Sequence, residues 1–137
     1  MAQIQEYIND CMNCSVCDET RATLCPVCTT QRVMQGKWKV TIIWLLKDET
    51  LRFSQLKNSI PNVTQTSLSK QLKSLEEDNL IIRKSYNQVP PKVEYFLSET
   101  GRKFIDVLEV MSDWGMEYIQ EYILPEYEKI QVAKELE

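Results

Sequence analysis

Five cysteines fall between positions 11 and 28 in the spacing C-x2-C-x2-C-x7-C-x2-C, and the chain contains no histidine. In a chain without secretory character, paired C-x2-C steps point to metal or redox chemistry rather than to a disulfide framework. Three chemistries fit the spacing. Cys14, Cys17, Cys25 and Cys28 form two C-x2-C knuckles, a soft thiolate set suited to tetrahedral zinc, with Cys11 as an alternative ligand; the seven-residue gap is shorter than in the usual ribbon. Cys11, Cys14 and Cys17 also match the first three positions of a ferredoxin-like run, with Cys25-Pro26 as a displaced fourth. That x7 gap departs from the x3 pattern, so an iron–sulfur cluster fits less well than zinc. The third chemistry needs no cofactor. Cys25 precedes a predicted helix start, where the helix dipole favours the thiolate, and a neighbouring thiol can resolve its sulfenic acid. Inert thiols are the bland alternative.

A second set of side chains is suited to nucleic acid. Gln65, Thr66, Ser69, Lys70 and Lys73 occupy one side of a predicted helix over 64–77, short hydrogen-bonding groups first and cations behind them. Leu68, Leu72 and Leu75 recur on the other side at helical spacing and mark its core face. Thr64 is placed to cap this helix, and Asn79 to end it, although Glu76, Glu77 and Asp78 there oppose the helix dipole.

The elements that must position these groups follow with few spare residues. A short helix begins at Phe53 and is interrupted at Ile60-Pro61, because proline disfavours helix in the residue before it. Strands are predicted over 80–86 and 92–97, joined by Asn87-Gln88-Val89-Pro90-Pro91, a stiff polar tip flanked by Arg83, Lys84 and Lys92. Ahead of them, residues 37–46 repeat apolar positions as a buried helix does, with Trp38 and Trp44 read as core. An earlier helix starts at Pro26, with Val33 and Met34 packing inward. Behind them, Ser98 or Thr100 caps a helix whose stripe of Phe104, Val107, Leu108, Met111, Trp114 and Tyr118, with Tyr122 one turn on, exceeds what a small core covers. Pro125 is expected to break this run, and Tyr127, Ile130, Ala133 and Leu136 to continue an apolar pattern beyond it. Such surplus apolar surface marks a partner face, and a homodimer held through Phe104, Met111, Trp114, Tyr118 and Tyr122 is expected; a self-packed helical hairpin is the alternative.

At 137 residues the chain suits one cored domain with appendages. Its charge is divided along the sequence. Residues 1–31 carry one Arg against four acids, 32–103 thirteen Lys/Arg against seven acids, and 104–137 two Lys against nine acids, within a total of −4. Basic charge therefore coincides with the candidate reading head, as DNA binding requires. No apolar run follows a basic N-terminal segment and no window reaches membrane-spanning length, so a cytoplasmic protein without a membrane partner is expected. The expected organisation is a cysteine-containing extension over 1–24, a DNA-binding unit over 25–103, and dimerisation helices over 104–137.

Assembled, these residues resemble the HxlR family of winged-helix transcription regulators, which have a MarR-like fold. The resemblance runs from about Cys25 to Tyr118. It rests on Cys25-Pro26-Val27, Gly36-Lys37-Trp38-Lys39, Leu51-Arg52-Phe53-Ser54-Gln55-Leu56, residues 72–80, Val89-Pro90-Pro91-Lys92-Val93-Glu94-Tyr95 and Gly101-Arg102. It implies a mainly α fold with a small β-hairpin wing, namely a winged helix-turn-helix with additional N- and C-terminal dimerisation helices. It further implies a dimeric DNA-binding regulator, usually a repressor, with the 64–77 helix in the major groove and the 86–92 loop as wing. Arg52 and Ser54 join the expected DNA-contacting set, and the cysteine before Pro26 becomes the expected sensor of oxidants, quinones or aldehydes. The extension with Cys11, Cys14 and Cys17 has no counterpart in the family pattern.

A different function class is a cysteine-based redox enzyme or metal carrier on a winged-helix scaffold. The sequence offers no histidine for acid–base work, no glycine-rich phosphate loop and no distinctive carboxylate pair, so a non-enzymatic regulator is the better reading.

Overall fold

The computed structural model describes residues 25–135. Cys11, Cys14, Cys17 and Leu136 lie outside the described residues. Helix α1 spans Pro26–Val33 and starts as expected, with proline in its first turn. Helix α2 spans Lys39–Leu45, shorter than the expected 37–46, and the chain turns ahead of it at Gly36, whose φ of 156° favours glycine. Strand β1 is Leu51–Arg52, helix α3 Phe53–Ser59, helix α4 Gln65–Glu77, and the hairpin strands are β2 Ile81–Tyr86 and β3 Lys92–Leu97. Helix α5 covers Glu99–Tyr118. A π-helical turn, Ile119–Ile123, leads from it into α6, Leu124–Glu135.

The core is built by the apolar repeats of α2 and α4 meeting the sheet and α5. Ile42, Ile43, Leu56, Leu68, Leu72 and Leu75 are fully buried, and Ile81, Leu97, Ile105 and Leu108 close the cluster. The sheet is antiparallel with order β1-β3-β2. Its hairpin is in register from Ile81 opposite Leu97 to Tyr86 opposite Lys92. Strand β1 was not expected. It pairs Leu51 with Tyr95 and Arg52 with Glu94, and two residues are too few to show an alternation in sequence.

Two expectations are corrected. Pro125 does not break the C-terminal run. The amide of Leu124 bonds to the carbonyl of Ile119, and this wider i to i−5 turn just ahead of the proline absorbs the disruption and lets helix continue to Glu135. The second concerns Trp44, expected in the core, which is 40% exposed with the Lys47 ammonium 4.7 Å from its ring centre, while Trp38 packs on the core. In α5 the core-facing residues are Gly101, Ile105 and Leu108 with Phe104 packed beside them, whereas Val107, Met111, Trp114 and Tyr118 are exposed, the surplus apolar surface that the width of the stripe implies. The core is small, and residues one helical step away from its centre reach past its edge. Helix α5 runs through position 103, so Ile105 and Leu108 share one core with α2, α4 and the sheet. No helix among the described residues is long and apolar enough to cross a membrane.

Candidate nucleic-acid interface

Helix α4 is held by caps at both ends. The Thr64 hydroxyl accepts the Ser67 amide at 3.1 Å, which satisfies one of the orphan donors of the first turn. At the other end Asn79 adopts φ 61°, and the amides of Asn79 and Leu80 donate to the carbonyls of Glu76 and Leu75, both at 3.0 Å. This is a Schellman ending with asparagine in the left-handed position, as its small polar side chain allows. Asn62, also at φ 61°, makes the turn between α3 and α4.

With Leu68, Leu72 and Leu75 buried, the side carrying Gln65, Thr66, Ser69, Lys70 and Lys73 is exposed along its whole length. Lys73 lies 4.0 Å from Glu77 one turn on, and both remain largely solvated. The surface is one of hydrogen-bonding groups backed by cations, a chemistry matched to base edges and phosphates. Arg52 and Ser54 are exposed at the start of α3, where the Arg52 amide donates to Gln55 Oε1 at 2.8 Å.

The wing is braced at its base. Lys92 Nζ lies 2.8 Å from Glu94 Oε1, and the Tyr86 hydroxyl donates to Glu94 Oε2 at 2.9 Å. Hydrogen bonds from Lys92 and Tyr86 hold the Glu94 carboxyl below the usual carboxylate range, with a smaller contribution from the charge of Arg52. Lys84 and Lys92 flank the Tyr86 ring at 5.0 and 4.8 Å. Because Lys84 and Arg52 both pair with Glu94, these three residues share one face of the sheet, and neighbouring Arg83 projects from the other. The structure thus gathers Arg52, Lys84 and Lys92 around Glu94 and separates Arg83 from them. Val89 at the tip is fully exposed.

Cys25 is the residue preceding α1 and is 5% exposed; its carbonyl accepts the Thr29 amide at 2.8 Å. Cys28, one turn on, is half-buried. They are the members of the four-thiol set within the described residues, and among those residues no three potential ligands converge on one point. One structurally engaged residue escaped the sequence reading. Lys39 is buried, although it was legible as the first member of the spacing Lys39, Ile42, Ile43, Leu46 on the core face of α2.

Comparison with known proteins agrees with this architecture. The family model for the HxlR-like helix-turn-helix matches residues 33–122. The HTH-type transcriptional regulator YkvN of Bacillus subtilis is 45% identical over 103 residues, which cover 74% of this chain and 87% of that protein. A MarR-family transcriptional regulator from Porphyromonas gingivalis W83 superposes with a TM-score of 0.67 at 34% identity, covering 76% of this chain and 98% of its own. The redox regulator HypR in its oxidised form superposes with a TM-score of 0.64 at 41% identity, covering 68% and 96%. With caps, leucine face, hairpin and wing all in the expected order, the chain belongs to the HxlR-like helix-turn-helix family of transcriptional regulators.

Proposed function

We propose that this regulator is a homodimeric, cytoplasmic repressor that reads operator DNA with α4 and the wing and changes its affinity through Cys25. The observation that carries the sensing half is the place of Cys25 immediately before α1, where the helix dipole favours the thiolate, in a chain similar to a redox regulator. Cys25 is buried, so its reaction requires the start of α1 to open, and the added group then holds that turn displaced. Zinc bound through Cys14, Cys17, Cys25 and Cys28 would act on the same turn, because its ligands must be deprotonated and held together. The dimer half rests on exposed apolar surface. Met111, Trp114, Tyr118 and Tyr122 are 45–65% exposed; Trp114 stacks on Tyr118 with ring centres 5.2 Å apart, and Tyr122 lies tilted against Tyr118 at 5.0 Å. Phe104 is partly buried against the core of its own chain, so the other four offer most of the exposed surface.

In the test, affinity for a duplex selected from a random-sequence library is measured for reduced protein, after diamide or a quinone, and after chelation with metal analysis. Wild type is expected to change affinity by about tenfold or more under at least one treatment, within the usual range of coupling between sites. Cys25→Ser is expected not to respond. Identical binding by both proteins under every treatment would rule out the sensing role. Sedimentation is expected to show a dimer for wild type and monomer or insoluble protein for Tyr118→Glu; a stable wild-type monomer would refute the dimer and its two half-sites.

A further inference from the structure

Helix α1 has no buried residue, yet one side chain ties its end to the reading helix. The Lys39 ammonium donates to the Val33 carbonyl at 3.1 Å, one of the carbonyls that the end of α1 leaves without a helical partner. The same nitrogen donates to Ser74 Oγ in α4 at 2.7 Å and lies 4.0 Å from Asp78 Oδ2 at the α4 C-cap. Its side chain is 7% exposed. Beside it, the Trp38 amide donates to Gln71 Oε1 at 2.7 Å. A methyl group on Gly36 would come within 3.1 Å of that same oxygen, so the turn before α2 lies tightly against α4. By helical geometry Gln71, Ser74 and Asp78 form a flank of α4 between its leucine face and its exposed polar face.

We infer that Lys39 is a positioning residue that couples α1 to the DNA-reading helix. A packing role alone does not call for a cation here. Burying an ammonium is costly unless its donors are satisfied, and leucine or methionine would fill the space without that cost. What lysine adds is three donors on one atom, and these reach groups belonging to two different helices. Movement of α1 along its axis shifts the Val33 carbonyl and therefore pulls on Ser74 and Asp78. Movement of α4 is transmitted back by the same bonds. The inference builds on α4 as the DNA-reading helix and is independent of what happens at Cys25.

Reciprocity provides the experiment. Amide hydrogen exchange is followed in the full chain, free and with a duplex selected from a random-sequence library. In wild type the duplex is expected to slow exchange across α4 and also, by about fivefold or more, across Pro26–Val33. In Lys39→Met the slowing across α4 is expected to persist and that across α1 to fall below about twofold. A purely structural role would raise α1 exchange with and without DNA and preserve the difference between them. Should Lys39→Met not fold, Ser74→Ala removes one acceptor from the bridge and carries the same expectation. DNA-dependent slowing of α1 that is unchanged in the variants, or slowing confined to α4 in wild type, overturns the inference and leaves the role of α4 standing. No slowing across either helix in wild type overturns both.

Discussion

Gly101→Ala is expected to destabilise the protein by about 3 kcal/mol or more, among the larger effects of a single methyl group. Gly101 lies in the first turn of α5, and a Cβ built there would fall well inside contact distance of the Leu80 carbonyl oxygen, with the Leu80 carbonyl carbon at 3.1 Å. Backbone on the far side cannot rotate away as a flexible side chain could. The Leu80 oxygen also accepts from the Ser98 amide and the Ser98 hydroxyl, both at 3.0 Å, so relieving the clash breaks the bonds that seat α5. Since Leu80 closes the Schellman ending of α4, the damage extends to that helix. Thermal unfolding is the measurement. A loss of about 3 kcal/mol in a domain of this size lowers the midpoint by roughly 10 °C or more, and a midpoint within about 2 °C of wild type would show that the two elements separate at little cost.

The double variant Gln65→Ala/Lys70→Ala is expected to bind its operator about a hundredfold less tightly or worse, at about 1–3 kcal/mol per base contact. Both side chains are exposed on the face opposite Leu68 and Leu72, so melting should stay close to wild type. Lys73→Ala supplies the contrast. Lys73 lies further along α4 near Glu77, and its loss should weaken binding to all sequences alike and flatten the salt dependence by about one unit. Fluorescence anisotropy at two salt concentrations, against the selected duplex and a scrambled one, distinguishes the cases. A folded double variant with undiminished affinity and specificity would remove this face from DNA recognition.

The features that could be read from the residues are those governed by near neighbours in the chain. Thr64 capping α4, Pro26 opening α1, Asn79 ending α4 and the leucine repeat at 68, 72 and 75 each depend on groups within about one or two helical turns, where sequence spacing and spatial contact coincide. The hairpin was legible for the same reason, because Asn87 to Pro91 force a connection between two apolar runs. Together these suffice for a winged helix-turn-helix.

Tertiary structure decided the rest, because the forces involved act between residues distant in sequence. β1 exists only because β3 offers an edge to Leu51 and Arg52, and that pairing places Arg52 beside Glu94, on the same face as Lys84 across β3. Trp44 looks like core by spacing, but the small core does not reach it, and with Leu108 and Met111 it lines an open apolar groove between α2 and α5. Lys39 shows the difference most sharply. Its spacing to Ile42, Ile43 and Leu46 fits the core face of α2, but partners six and thirty-five residues away decide that it becomes a bridge between helices rather than a solvated charge. Which residues are buried follows from local pattern, whereas what a buried polar group is bonded to depends on how whole elements pack.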